Sequence, residues 1–229
     1  MKIGFTGIEL PEGKSKYKDE KLIALEKKDK PKKVSPFFVE FICDEFIQTE
    51  AIVVSEDKVL DLLILDMEKV DGRLERAIDD NEKVVLNKCM ENLENEIPLC
   101  DVEFSEAENE IVKAAAFYSC KPVLIVKDDL DLNTIITMAL EKADNMFFYT
   151  SGPKESHAWL VKKNSDIVTC AGKIHSDLAR GFIRGDVVQF DDYLSCHNFN
   201  ECKSKGFAKV VEKDYIVQPG EIIEIRFNV

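Results

Sequence analysis

The residues best suited to chemistry lie near the N-terminus. The apolar run IGFTGI at residues 3–8 leads into a loop that ends in Gly13-Lys14-Ser15. A glycine-rich loop between a strand and a helix binds phosphate through consecutive backbone N–H groups, helped by a lysine and a hydroxyl. Four residues separate the two glycines of that motif, whereas five separate Gly7 from Gly13, so the register is broken. The pattern therefore predicts no more than residual nucleotide binding through Gly13, Lys14 and Ser15.

Other catalytic and metal-binding patterns are missing from the sequence. The histidines, His157, His175 and His197, form no HxxxH or HExxH spacing, and the seven cysteines include no CxxC pair. Structural zinc sites and disulfide frameworks need such spacings, so reduced thiols are expected and no metal site is predicted. Spacing alone also reveals no set of nucleophile, base and orienting group.

Composition and charge limit the class of protein. The chain has 229 residues, of which 45% are hydrophobic and 33% charged, as in a globular protein with a core. No apolar run reaches the roughly 18 residues of a membrane helix, and the N-terminus lacks a signal-peptide core, so we expect a cytoplasmic protein. Of the net charge of −13, −12 lies in residues 55–112, whereas residues 145–229 are neutral. General nucleic-acid coating, DNA binding and membrane binding are therefore not expected, although the last third could carry a local basic patch.

Hydrophobic periodicity predicts the elements that would position these residues. Apolar spacings of three and four predict two helices, over about 57–78 and 82–97, folded as an antiparallel hairpin within a helical region at about 57–120. Ser105 and Glu108 form a capping-box pattern for a third helix. The remaining apolar runs predict strands near 3–8, 37–42, 51–54 and 122–127, and helices over 18–28 and 132–143.

From about residue 145 the pattern changes to alternating strands with one helix. The strands are MFFYTS, HAWLVKK and IRGDVVQF, the helix is AGKIHSDLARG, and two or three strands follow a polar connection at 191–204. A sheet curled around one helix, with β-hairpins on either side, is the β-grasp pattern. The sequence therefore predicts a domain boundary between residues 143 and 144.

Three stretches of this last part resemble a known domain. FFYTSGPKESHAWLVKKN, AGKIHSDLARGFIRGDVVQFDDY and DYIVQPGEIIEIRFNV resemble the C-terminal TGS domain of YchF-type proteins, which are Obg-related P-loop NTPases. The resemblance continues upstream in fragments such as KPKKVSPFFVEF and SCKPVLIVKDDLD. It implies an α/β plus α+β protein: a reduced P-loop-like α/β domain at 1–143 with a helical-hairpin insertion, followed by a β-grasp TGS domain at 144–229.

The upstream fragments depart from the family pattern where chemistry is expected. The family has Asp-x-x-Gly after the VEF strand, whereas here Asp44 is the Mg²⁺ candidate and no glycine follows it. The family's base-recognition motif, Asn-x-x-Glu, aligns with Asp128 to Asp131, which removes the amide donor. NTP hydrolysis needs cradled phosphates, a held metal and a positioned water, so an ATP or GTP hydrolase is not expected. Any bound ATP or GTP with Mg²⁺ would contact Gly13, Lys14, Ser15, Asp128 and Asp131.

The resemblance implies a role in translation or the stress response. TGS domains occur in threonyl-tRNA synthetases, Obg-related GTPases and SpoT-type proteins, and YchF proteins are ribosome-associated. We therefore expect a non-catalytic regulatory module that binds a ligand, RNA, the ribosome or a translation-related protein. Its candidate face comprises Lys173, His175, Asp177, Arg180 and Arg184. Two alternatives stay open: residual ATP or GTP binding through a remodelled P-loop, and a scaffold that binds a protein partner through the acidic helical arm.

Overall fold

A computed structural model describes residues 1–127 and 130–228, which divide into two units with one sheet each. The first unit contains Met1–Ser15 and Val39–Ala143, and the second contains Lys16–Phe38 and the residues from Asp144 onward. Helices flank both sheets, so the expected mixed α/β fold is confirmed. No helix in the described ranges has the length and apolar character needed to cross a membrane.

The first unit is built around a five-stranded sheet whose strand order is β2-β4-β1-β5-β6. Its strands are β1 Lys2–Thr6, β2 Gly13–Lys16, β4 Phe38–Cys43, β5 Ala51–Ser55 and β6 Val123–Val126. Strands β4, β1, β5 and β6 run parallel to one another. Parallel strands covered on both faces are apolar throughout, and all five residues of β5, AIVVS, are buried.

Four helices belong to this unit, and the predicted hairpin is among them. They are α2 Val59–Leu74, α3 Asp80–Glu94, α4 Glu106–Ala115 and α5 Leu132–Lys142. Five residues, 75–79, join α2 to α3, and both helices share one apolar cluster with β5 and β6. The capping box of α4 is confirmed, because Ser105 and Glu108 bond each other's backbone N–H groups. The apolar spacing of the first hairpin helix, which starts at Leu60, predicts that Leu60 faces inward. That prediction is wrong, because the Leu60 side chain is 40% exposed and the neighbouring Val59 is buried instead.

The second unit contains a six-stranded sheet whose strand order is β10-β9-β11-β7-β8-β3. Its strands are β3 Lys33–Ser35, β7 Asn145–Thr150, β8 Glu155–Lys162, β9 Phe182–Val188, β10 Lys209–Val211 and β11 Ile222–Phe227. Strand β11 lies parallel to β7 and antiparallel to β9, while β7 and β8 form an antiparallel hairpin. Strand β3 pairs in parallel with β8. Residues 16–38 therefore belong with the C-terminal residues, whereas the sequence places them in the first domain.

Helices cover both faces of the second sheet. They are α1 Glu20–Asp29, α6 Ile167–Ile174, α7 Ser176–Arg180, α8 Phe190–Leu194 and α9 Phe199–Ser204. Helix α6 packs on one face, and α1, α8 and α9 pack on the other. The single helix predicted over AGKIHSDLARG is wrong, because the backbone becomes extended at His175 and separates α6 from α7. The predicted polar connection at 191–204 contains α8 and α9, whose Tyr193 and Phe199 are buried beside Leu25 of α1.

Candidate functional site

The Gly-Lys-Ser sequence forms part of an edge strand. Gly13, Lys14 and Ser15 lie in β2, at the border of the first sheet beside β4. Lys14 is exposed, and the space where a side chain at Gly13 would lie is empty. The next helix along the chain begins only at Glu20, in the second unit. A phosphate cradle needs several N–H groups converging at a helix N-terminus, and an extended strand does not provide that convergence.

Gly7 serves close packing at the carboxyl end of β1. Open α/β sheets bind ligands beyond the carboxyl ends of their strands, where the strand order reverses, and here that place lies between β1 and β5. A Cβ at Gly7 would lie 2.1 Å from Ser55 Oγ and 2.5 Å from Lys58 Cγ, and the φ of Gly7 is +72°. The Ser55 hydroxyl is buried and has no hydrogen-bond partner among the described residues. Side chains of β5 and the following turn therefore occupy the space beside Gly7.

The acidic residues predicted to contact a nucleotide or Mg²⁺ do not form a common site in the first unit. Asp131 caps α5 and accepts hydrogen bonds from Asn133 N at 3.0 Å, Thr134 N at 3.2 Å and the Thr134 hydroxyl. These bonds, the Thr134 hydroxyl first, hold the pKa of Asp131 below its usual value. Asp44 is exposed after β4, where its backbone N–H bonds Phe5 O at 2.9 Å. Asp128 lies outside the described residues.

These positions do not fit a bound nucleotide with Mg²⁺. Within residues 1–127 and 130–228, no group of three or more His, Cys, Asp and Glu side chains is arranged to hold a metal ion. The glycines of the apparent P-loop lie in a strand and in a packed corner, and Asp131 is engaged as a helix cap. The described residues therefore offer no phosphate cradle and no metal site.

Three of the five candidate residues on the second unit lie together around α7. The Nδ1 atom of His175 accepts a hydrogen bond from Asp177 N at 3.1 Å and so caps α7. The Asp177 carboxylate lies 2.9 Å from Arg180 Nη2. Lys173 is exposed near the end of α6 and forms no ion pair with the described residues. Asp177 therefore neutralises much of the positive charge that Arg180 brings to this face.

Arg184 belongs to the opposite face of the sheet. Side chains alternate along β9, so Arg184 shares a face with Asp186 and with Val188, which packs in the cluster of α1, α8 and α9. Arg184 Nη2 lies 3.3 Å from Glu212 Oε1. The structure therefore does not bring the five candidate residues onto one surface.

A group of lysines on the second unit was not found from the sequence. The stretch 27–33, KKDKPKK, contains five lysines in seven residues at the end of α1 and the start of β3. Lys32 N donates to Pro153 O at 3.2 Å, which joins this stretch to the turn between β7 and β8. The density of lysines in the sequence could have indicated this group. The boundary predicted from the sequence, however, places the stretch in the first domain and not with residues 144–229. With residues 16–38 included, the second unit carries a net charge of +3, and the first carries −16.

Comparison with known proteins finds similarity to one family. Residues 146–228 match the YchF-GTPase_C family model, which is described as a protein of unknown function (DUF933). The chain is 28% identical to the ribosome-binding ATPase YchF of Bacillus subtilis over 237 residues, which cover 74% of this chain and 65% of that protein. It is therefore similar to the YchF-type, Obg-related proteins. The resemblance that the sequence suggests is thereby confirmed.

Further relatives match over different lengths. Obg-like ATPase 1 of Rattus norvegicus is 38% identical over 82 residues, which cover 36% of this chain and 21% of that protein. The matches therefore span less than two thirds of these curated relatives. The structure of the Schizosaccharomyces pombe YchF GTPase covers 99% of this chain and 97% of that chain, with a TM-score of 0.80 and 16% identity. The last likeness shows that the two chains share a fold.

Proposed function

We propose that this chain is a non-catalytic YchF-like module that associates with the ribosome. The observation that carries the non-catalytic part is the position of Gly13, Lys14 and Ser15 in strand β2, away from any helix N-terminus. The packed corner at Gly7 and the capping role of Asp131 support the same conclusion. Hydrolysis of a nucleotide needs a phosphate cradle, a metal ion and a positioned water. The described residues supply neither a phosphate cradle nor a metal site.

We further propose that residues 144–229 form a β-grasp TGS domain. The strand order β8-β7-β11-β9, with β11 parallel to β7, supports this assignment. Helix α6 packs across one face of these strands, as the β-grasp pattern requires. The family match over residues 146–228 covers the same part of the chain.

The proposed ribosome association rests on the name of a relative and on the net charge of the second unit. The Bacillus subtilis relative is named a ribosome-binding ATPase. The second unit, with a net charge of +3, suits an RNA-rich partner, while the first unit, with −16, would repel phosphate. We propose a cytoplasmic protein that contacts the ribosome through its second unit and binds neither DNA nor membranes. A contribution from Lys173, Arg180 and Arg184 stays a prediction, which charge reversal at these positions would test.

Calorimetric titration with ATP and with GTP, each with Mg²⁺, tests the non-catalytic part. We expect no binding heat at ligand concentrations of hundreds of micromolar, because Gly13, Lys14 and Ser15 lie in a strand and not at a helix N-terminus. Micromolar binding that disappears in Lys14→Ala would overturn the proposal and favour the alternative of a remodelled P-loop. Micromolar binding that Lys14→Ala leaves unchanged would overturn it as well, and would place the nucleotide elsewhere on the chain.

A groove at α2, in the helical hairpin, supports the alternative that the chain is a scaffold for a protein partner. Lys69, Arg73 and Arg76 of α2 and its following turn line a groove of about 640 Å³, together with Glu68 and Glu82. Arg73 pairs with Glu82 at 3.0 Å, whereas Arg76 has no carboxylate partner among the residues described. A single carboxylate of a protein partner would suit Arg76. Loss of a protein partner in Arg76→Gln, with ribosome association intact, would favour the scaffold function.

A further inference from the structure

We propose that four exposed lysines at two adjoining turns of the second unit bind the phosphate backbone of RNA. This lysine patch comprises Lys27, Lys30, Lys32 and Lys154. The first three lie at the end of α1 and before β3, and Lys154 lies in the turn between β7 and β8. The inference rests on the proposed ribosome association, because it names the chemistry by which the second unit would contact an RNA-rich partner.

Two independent links hold the two turns together. The backbone N–H of Lys32 donates to Pro153 O at 3.2 Å. The carboxylate of Asp29, the last residue of α1, accepts a hydrogen bond from Ser151 Oγ at 2.6 Å, at the other end of the same turn. Tyr193 OH adds a bond to the same carboxylate at 2.8 Å. The patch is therefore built on a fixed backbone, which lowers the entropy cost of binding.

The patch keeps its charge because the neighbouring acids are already paired. Asp29 is bonded by Lys28 at 2.7 Å, and Glu155 is bonded by Lys33 at 2.9 Å. Within the described ranges, none of the four patch lysines forms an ion pair with a carboxylate. Glu26 is the exposed acid one turn before Lys30, and counting it leaves the patch with a net charge of +3.

The composition of the patch favours phosphate recognition without base reading. Lysine ammonium groups act as point charges, and they suit phosphates in any sequence context. The exposed side chains of the patch include no aromatic ring on which bases could stack and no apolar group that could enter a membrane. We therefore infer a sequence-independent RNA contact that weakens steeply as salt rises.

The test compares two fourfold variants of the full chain that lose the same charge. The patch variant is Lys27→Gln, Lys30→Gln, Lys32→Gln and Lys154→Gln. The control variant changes the exposed lysines 163, 205, 209 and 213 of the same unit to Gln. The probe is a labelled oligouridine of about 20 nucleotides, titrated over a range of salt concentrations. Circular dichroism spectra check that both variants remain folded.

We expect the patch variant to bind oligouridine at least tenfold more weakly than the wild type at about 50 mM salt. The slope of log affinity against log salt should fall by about 0.7 for each lysine that contacts a phosphate. The control variant should stay within about threefold of the wild type, because its lysines lie elsewhere. An equal loss of oligouridine affinity in both variants, or no loss in either, would overturn the proposal that the lysine patch binds RNA.

Two further measurements separate this inference from the proposed function. Wild-type protein that sediments with ribosomes but binds oligouridine independently of the patch would overturn the inference alone. Wild-type protein that binds neither ribosomes nor oligouridine would overturn both. Binding to vesicles of phosphatidylcholine and phosphatidylserine, without binding to oligouridine, would assign the lysines to a membrane surface and overturn the RNA proposal.

Discussion

Replacing Asp29 by alanine should strongly destabilise the second unit. The Asp29 side chain is 5% exposed and accepts hydrogen bonds from Ser151, Tyr193 and Lys28. Its removal leaves the Lys28 ammonium, which is 12% exposed, without a carboxylate. Breaking a buried ion pair by removing one partner costs about 3–5 kcal/mol. We expect about 3 kcal/mol, the lower end of the range for a broken buried pair, because Lys28 keeps its bond to His197 O and its position over the Tyr193 ring.

Urea unfolding followed by tryptophan fluorescence measures this loss. Trp159 is the only tryptophan and lies on β8, so its signal reports on the second unit. With an m-value of about 2 kcal/mol per molar urea, the midpoint should fall by about 1.5 M. The matched control is Glu212→Ala, whose exposed carboxylate lies 3.3 Å from Arg184 Nη2 and should contribute less than about 0.5 kcal/mol. Equal midpoints for the two variants would refute the anchoring of α1 by Asp29.

Two further predictions concern one group in each unit. Burial raises the pKa of Asp186, but hydrogen bonds from Arg226 and Lys203 outweigh this and hold the pKa below its usual value of 3.8. The carboxylate therefore stabilises the protein above pH 3.8, and this stability is lost as the pH falls through and below that value. Thermal unfolding should depend less on pH between about pH 4 and pH 2 in Asp186→Asn, and an unchanged pH profile would contradict the pairing. Gly7→Ala should lower the free energy of unfolding of the first unit by about 2 kcal/mol, because the φ of Gly7 is positive and Ser55 Oγ occupies the place of the added Cβ. Chemical unfolding measures this loss, and a variant as stable as the wild type would refute the packing role of Gly7.

Local patterns in the sequence predict the elements whose stability is local. The capping box at Ser105 and the apolar run of β5 depend on neighbours within a few residues, so both are visible in the sequence. An aromatic residue such as Phe227 in the last strand is expected in the core from the sequence. That prediction is wrong, because its side chain is 48% exposed. Strand β3 is three residues long and pairs with β8, 122 residues away at Lys33 and Glu155. Periodicity in a short window carries no information on such a distant pair.

The candidate site was predictable only in part for the same reason. The sequence resembles YchF-type proteins, and its broken glycine spacing indicates a changed P-loop. That Gly13 lies in a strand, however, depends on pairing with β4, which no local signal specifies. Asp131 could have been recognised as a helix cap, since Asp before a helix often bonds the first free N–H groups. The lysine patch was missed because its residues join the second unit through α1 and β3.

Sedimentation of the full chain with purified ribosomes, with and without added ATP or GTP, tests the central claim most directly. The claim is a ribosome-associated module whose binding does not depend on nucleotide. We predict that the protein pellets with ribosomes equally in all conditions and is released as salt rises. Protein that stays in the supernatant, or that pellets only when ATP or GTP is present, would contradict the account.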